Sequence, residues 1–185
     1  MQTTKNTDRR QKDTVLSPDE ILAIQKATTG EDMNEVPDNP GQTFIIYTDG
    51  GYHIPKDEGA YAFVILQDDR IIHREATVIR GETNNRGELK AIIEAVRWCP
   101  AKSALFVNSD SQYALFTLKG DWGRKKNKDL FAEWDRLLAE KQPVITFNWV
   151  RGHSGNVYNE LCDRMCDEAV GYDLNGWIPK KKKRK

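Results

Sequence analysis

FIIYTDGG, residues 44–51, is a short apolar, β-rich run that breaks off into Thr48-Asp49-Gly50-Gly51. A run of this length, bounded by turn-forming residues, reads as a strand of a covered sheet that ends on an acid. Upstream the chain is different: residues 1–42 are polar and the first aromatic is Phe44, so this stretch can contribute little to a core and reads as an arm and linker. Within it, Ser17-Pro18-Asp19-Glu20 supplies the N-cap, N1 proline and N3 glutamate of a helix start ahead of Ile21-Leu22-Ala23-Ile24. A short helix is expected there, and Glu35-Val36-Pro37-Asp38-Asn39-Pro40-Gly41 then marks the linker.

Downstream, GAYAFVIL (59–66) predicts a second strand and Arg70 to Ile79 a third, joined through the turn formers Asp68 and Asp69 into a three-strand meander. Leu89, Ile92, Ile93 and Val96 fall at i, i+3, i+4 and i+7, a helical face that Cys99-Pro100 ends. Strands and helices then alternate. Ala104 to Asn108 reads as a strand, Gln112 to Leu118 as a helix, and Leu130 to Lys141 as a helix with Leu130, Trp134, Leu137 and Leu138 inward. Val144 to Val150 reads as a strand and Asn159 to Val170 as the last helix. This order predicts an α/β fold, a mixed sheet with helices packed on its faces.

With 185 residues, 38% of them hydrophobic, the chain suits one domain plus tails. The expected division is 1–42 arm and linker, 43–171 catalytic domain and 172–185 basic tail. No apolar run approaches the roughly 20 residues of a membrane span, and Met1 to Lys12 lacks the apolar segment of a signal peptide. A soluble, cytoplasmic protein with no membrane partner is expected. Cys99, Cys162 and Cys166 are an odd count without framework spacing, which predicts free thiols. Cys162 and Cys166 at i, i+4 have no second Cys/His pair to complete a zinc site and are expected on the packed face of a helix.

The formal net charge of +0 hides an asymmetry, because Lys180 to Lys185 carry six cations, leaving 22 against 28 acids in residues 1–179. An acidic body that handled nucleic acid would need local basic patches or bound cations.

Four acids stand where strands end or helices run: Asp49, Glu88, Asp110 and Asp163. Any one of them alone reads as a cap or turn former. Their contexts are TDGG (48–51), TNNRGEL (83–89), DSQY (110–113) and GHSGNVYNELCD (152–163). In these four segments, in order and spacing from about Phe44 to Val170, the chain resembles the type-1 ribonuclease H family.

The resemblance implies a ribonuclease H-like fold, a five-stranded mixed sheet of a three-strand antiparallel meander plus two parallel strands, flanked by helices. It implies endonucleolytic hydrolysis of the RNA strand of RNA/DNA hybrids, leaving 5′-phosphate and 3′-hydroxyl ends. Its catalytic carboxylates fall on Asp49, Glu88, Asp110 and Asp163, and its accessory histidine on His153. The cofactor implied is Mg²⁺, two ions per site, with Mn²⁺ able to substitute. Hard carboxylate oxygens suit such ions, whereas crowded acids without a cation repel and shift their pKa values upward.

By the same resemblance Asn84, Asn85 and Gln112 take minor-groove positions, and amides suit reading a 2′-hydroxyl. Gly50 would bring backbone close to the RNA strand. Thr83 and Asn127 match a pocket for a phosphate of the DNA strand, whose usual arginine is Gly81 here, with Arg80 adjacent. Trp122 lies in a basic loop, Gly120 to Lys128, which reads equally as a stacking surface or as a solvated loop anchored by the indole. The lysine-rich tail resembles a nuclear-import signal, giving a nuclear location if the host is eukaryotic, but it is favoured here as a tether to nucleic acid. The expected partner is the hybrid duplex, bound by a monomer. A proofreading exonuclease of similar fold would carry Asp-x-Glu on its first strand, which Asp49-Gly50-Gly51 does not supply. A silent hybrid-binding subunit would have no reason to keep all four acids.

Overall fold

Asp68 and Asp69 both adopt positive φ, 49° and 59°, the geometry of a two-residue hairpin turn whose twist matches its flanking strands. They join β2 (Glu58–Gln67) to β3 (Arg70–Arg80) in a computed structural model that describes residues 41–53 and 56–171. The expected helix in the arm, most of the linker and the basic tail lie outside the described residues.

Five strands form one sheet in the order β3-β2-β1-β4-β5, with β1 at Thr43–His53, β4 at Ala104–Ser109 and β5 at Val144–Trp149. β1, β2 and β3 pair antiparallel, and β4 runs parallel to both β1 and β5. The sheet is therefore the mixed, five-stranded one expected. The described helices are α1 (Asn84–Trp98), α2 (Gln112–Lys119), α3 (Lys128–Lys141) and α4 (Val157–Ala169).

Period-2 alternation sends the strands' apolar residues to two faces. Phe44, Ile46, Phe63 and Ile65 join Leu89, Ile92, Ile93, Val96 and Trp134 in the larger core beneath α1, α2 and α3. Tyr47, Ala62, Val64 and Leu66 meet Cys162 and Cys166 of α4 on the other face. The four residues that set α1's helical face are at most 1% exposed, and each contributes about 1.5–3 kcal/mol by leaving water. Leu130, Trp134 and Leu137 of α3 are buried, and Leu138 is partly so.

All three cysteines are free and buried. Cys162 donates to the Tyr47 carbonyl at 3.3 Å and Cys166 to that of Asp49 at 3.8 Å, so this pair is packing beneath β1. Burial pushes the Cys99 thiol up to about 12. Among the described residues, no helix is long and apolar enough to cross a membrane.

One expectation needs correction. β1 does not end before Asp49 but continues to His53, paired throughout with β2. Only its pairing with β4 stops, at Thr48 opposite Ser109. Asp49 is thus a mid-strand residue at the point where one neighbour departs.

Candidate active site

That departure opens a crevice where β4 ends and the parallel pairing with β1 stops, the usual place for a site in an open α/β sheet. Asp49 and Asp110 are the residues just past the last β1–β4 pair, so the parallel register sets them abreast. Asp110 is turned sharply out of β4: the Ser111 amide donates to Ser109 Oγ at 3.1 Å, and Ser111 Oγ caps α2 by accepting from Ala114 N at 3.2 Å.

Glu88 arrives from α1. The side-chain oxygen of Thr83 caps this helix, and Asn84 Oδ1 accepts from the Tyr52 amide of β1 at 3.1 Å, tying the helix start to the strand. Gly50 permits the close packing. A Cβ placed on it would lie 2.4 Å from the Glu88 amide nitrogen and 2.5 Å from the Gly87 carbonyl carbon. Strand and helix therefore meet backbone to backbone, and the approach that Gly50 permits on its Cβ side is to α1.

The consequence is a tight cluster. One carboxylate oxygen each from Asp49, Glu88 and Asp110 lie within 4.8 Å of one another. Glu88 Oε2 and Asp110 Oδ1 are buried without a hydrogen-bond partner, whereas buried polar atoms ordinarily have one. Burial pushes the Asp49 carboxyl well above its usual range, helped by the charges of Asp110 and Asp163. The same cause, followed by Asp49 and Asp110, raises Glu88 well above its usual range. Asp110 is raised by burial too, with His153 and Asn159 pulling the other way.

Three clustered carboxylates, two of which carry a buried, orphaned oxygen, fit a divalent cation: hard donors are what such an ion takes, and its charge would relieve the mutual repulsion. The ligand set is chemically that of Mg²⁺ or Mn²⁺, with no soft donor in it.

Asp163 stands apart from the triad. α4, capped by Asn156, whose Oδ1 accepts from Tyr158 N and Asn159 N, carries it to the rim of the crevice. There its Oδ2 lies 3.5 Å from Nδ1 of His153. His153 is exposed, at a positive φ of 52°, in the loop between β5 and α4. The fourth acid thus senses Asp49 and Asp110 electrostatically while its carboxylate turns to the imidazole.

Of the proposed substrate contacts, Asn84 and Asn85 open α1, and Gln112 opens α2; all three are exposed. Around the expected phosphate pocket the side chains make internal contacts. Asn127 Oδ1 accepts from Arg86 at 3.4 Å and its Nδ2 donates to the Tyr113 hydroxyl at 3.0 Å. Arg86 is held by Glu82 and, through two nitrogens, by Asp129 at 2.9 and 2.7 Å, and it draws the Asp129 carboxyl down to about 2. Gly81 has φ 65°, a conformation that an arginine adopts only under strain. The adjacent Arg80 is paired with Glu58 at 2.7 Å.

Trp122 packs on Phe116, ring centroids 5.1 Å apart, and still leaves 46% of its surface exposed, so it is both an anchor and an open face. Arg124 of the same loop is not free for a phosphate: it pairs with Asp135 at 2.6 Å and donates to the carbonyls of Thr117 and Leu118. His73, away from the crevice on β3, stacks on Trp98 at 4.7 Å.

Three neighbours of the cluster were not expected as site residues, although Gly152 and Asn159 lie within GHSGNVYNELCD. Asn159, 3% exposed, lies one turn before Asp163 with its amide 3.5 Å from the Thr48 carbonyl. Trp149 and Gly152 both touch Asp110, the first through a 3.1 Å hydrogen bond from its indole to the Asp110 carbonyl. A buried asparagine inside a helix, or a strand-end tryptophan, looks like ordinary packing until the strand order is known.

Known proteins resemble this chain in sequence and in fold. The family model described as RNase H matches residues 41–171. The ribonuclease H of Syntrophus aciditrophicus is 32% identical over 168 residues, covering 82% of this chain and 94% of its own. Ribonuclease HI of Synechocystis sp. is 32% identical over 146 residues, covering 70% and 89%. Among solved structures, the N-terminal RNase H domain of rv2228c from Mycobacterium tuberculosis superimposes with a TM-score of 0.58 at 22% identity, covering 70% of this chain and 94% of that one. LC11-RNase H1, solved in complex with RNA/DNA hybrid, gives 0.56 at 23% identity, covering 69% and 99%. These structural likenesses speak for the fold, and the matches in sequence speak for descent: the chain belongs to the ribonuclease H family.

Proposed function

We propose that this chain hydrolyses the RNA strand of RNA/DNA hybrids endonucleolytically, leaving 5′-phosphate and 3′-hydroxyl ends. The observation that carries the reading is the triad of Asp49, Glu88 and Asp110, with ligand atoms within 4.8 Å of one another in a crevice where the parallel pairing of β1 and β4 stops. These three, with Asp163 at the rim, would hold two Mg²⁺ ions, for which Mn²⁺ can stand in. When bound, such a pair supplies an activated water on one side of a phosphodiester and charge stabilisation for the leaving oxygen on the other.

The chain's residues prepare that chemistry. Burial of Glu88 lowers the local dielectric, so each carboxylate attracts a cation more strongly than it would in water. Asn84, Asn85 and Gln112, at two helix starts on the rim, place amides where a 2′-hydroxyl can be read as donor or acceptor. The acting form is taken to be a monomer. The test is a pair of hybrids, labelled on one strand or the other and incubated with Mg²⁺ or chelator. Mg²⁺-dependent cleavage of the RNA strand alone is expected; cleavage of the DNA strand, or of both alike, would overturn the reading.

His153 sits at hydrogen-bonding reach of Asp163 in an exposed loop, a position from which an imidazole can move a proton or release product. His153→Ala is expected to slow turnover by roughly 10²-fold, the scale of a lost proton-transfer group, while leaving calorimetric Mn²⁺ affinity near that of the unmodified chain. Unchanged turnover removes it from the mechanism.

Arg80, Arg86 and Arg124 are each taken up by internal pairs, so we assign part of the grip on substrate to Lys180 to Lys185. Deleting these six residues is expected to weaken hybrid binding and to lower the slope of log affinity against log salt, by about 0.7–0.9 for each phosphate that is no longer neutralised. Filter binding across a salt series measures it, and a superimposable series would rule the tether out.

A further inference from the structure

Asp110 has an unusual setting: its carboxylate is positioned by shape. Oδ1 is buried with no hydrogen-bond partner, so the contacts that Asn159 and His153 make with the group leave this oxygen's aim to packing. What surrounds it is the chain leaving β5. Trp149 is the register partner of Ser109, the Val150 amide donates to the Ser109 carbonyl at 3.0 Å, and the Trp149 indole donates to the Asp110 carbonyl at 3.1 Å. The segment from Trp149 to Gly152 therefore runs along the backbone of Ser109 and Asp110 and fixes where the Asp110 Cα stands.

Gly152 then closes on the carboxylate itself. A Cβ placed there would lie 2.2 Å from Asp110 Oδ2, 3.2 Å from its Cγ and 3.4 Å from its Cβ. The backbone of Gly152 is not among the positive-φ glycines, Gly81, Gly120, Gly155 and Gly171, so local conformation does not demand glycine here. The contact with Asp110 does. It differs in kind from that of Gly50, whose absent Cβ would strike helix backbone. An alanine at 152 meets only the end of a side chain, which can rotate away; the fold is spared and the carboxylate's aim is lost.

We propose that Gly152 and Trp149 are positioning residues for Asp110, Trp149 anchoring its backbone and Gly152 walling its carboxylate on the Oδ2 side, so that the group keeps its aim at the cluster with Asp49 and Glu88. The inference deepens the proposed function and rests on Asp110 being a metal ligand. It also gives the loop between β5 and α4 two attachments to the site, Gly152 to Asp110 and His153 to Asp163.

The experiment titrates Mn²⁺ calorimetrically into the metal-free full-length chain, its Gly152→Ala, Trp149→Phe and Asp110→Asn variants, and Gly51→Ala as a control whose Cβ would meet nothing within 4 Å. Thermal melting in chelator is recorded for each. Gly152→Ala is expected to melt close to the unmodified chain yet bind Mn²⁺ roughly 10- to 100-fold more weakly, the usual cost of removing a group that orients a metal ligand. Trp149→Phe, which keeps a smaller aromatic ring and loses the donor, should show a smaller loss in the same direction, and Gly51→Ala none. If Gly152→Ala and Trp149→Phe bind as tightly as the unmodified chain while Asp110→Asn does not, the positioning role is overturned and the metal reading survives. If Asp110→Asn also binds normally, the metal reading itself falls. Should Gly152→Ala fail to fold, Trp149→Phe decides: weakened binding supports the role, and unchanged binding overturns it.

Discussion

Asp49→Asn is expected to abolish hybrid cleavage to within roughly 10³-fold or more below the unmodified chain, as loss of a central catalytic group does, and at the same time to raise the melting temperature of the metal-free protein. Both outcomes follow from one arrangement. Asp49 clusters with Glu88 and Asp110 and is the charge that most perturbs Glu88, so its removal takes away an expected ligand and relieves a repulsion. The sign of the stability effect is fixed by linkage. Burial and like charge raise the folded-state pKa of Asp49, Glu88 and Asp110 above their unfolded values of about 4. Carboxyls of this kind favour the folded state fully only below the unfolded pKa, and that contribution is lost as pH rises through the folded one.

At neutral pH without metal the cluster is therefore a source of instability, and the asparagine variant should melt higher and show a shallower loss of stability as pH rises above about 4. The expected gain scales at about 2–4 °C per kcal/mol for a chain of this size. Mg²⁺ should raise the melting temperature of the unmodified chain, because a ligand that binds only the folded state stabilises it, and should do so much less in the variant. Thermal melts with Mg²⁺ or chelator, at several pH values, measure both; a variant that melts lower than the parent in chelator would show that repulsion among the acids does not govern the stability of the metal-free fold.

The legible and illegible parts of this molecule divide along a physical line. Local devices were readable. Asp68-Asp69 marked a tight turn because short acidic side chains tolerate positive φ, and Leu89, Ile92, Ile93 and Val96 marked α1 because one face of a helix must be apolar to pack. The acids were readable only in combination, through TDGG, TNNRGEL, DSQY and GHSGNVYNELCD.

Contacts set by the sheet's order were not readable. The second half of β1, residues 48–53, carries glycines and polar groups, and is a strand because β2 pairs with it along its length. The surroundings of Asn127 were unreadable for a similar reason: its partners Arg86 and Tyr113 lie 41 and 14 residues away. Trp149 and Gly152 gained meaning only once β5 was seen to lie beside β4.

Gly50→Ala isolates the device on which Glu88 depends. Its Cβ would stand 2.4 Å from the Glu88 nitrogen, 2.5 Å from the Gly87 carbonyl carbon and 2.9 Å from the Glu88 Cα. All three atoms are backbone, so no rotamer change relieves the overlap; either α1 moves away from β1 or β1 bows. Both options loosen the packing of Leu89 and Ile92 against the sheet, and overpacking of this kind typically costs about 1–3 kcal/mol. The tie between Asn84 Oδ1 and the Tyr52 amide would resist the movement at one end of the helix, so the displacement should concentrate around Glu88. A misplacement on the order of 1 Å in a catalytic group can cost about 10²-fold in rate, and Glu88 has no alternative route to the cluster. Gly50→Ala is thus expected to lose stability and activity together. By contrast, Gly87→Ala, whose Cβ would meet the flexible Cδ1 of Ile79 at 3.2 Å and otherwise nothing closer than 3.6 Å, should lose little of either. Denaturant melts and single-turnover cleavage measure the pair, and equal behaviour of the two variants would mean that the strand-to-helix contact does not set the position of Glu88.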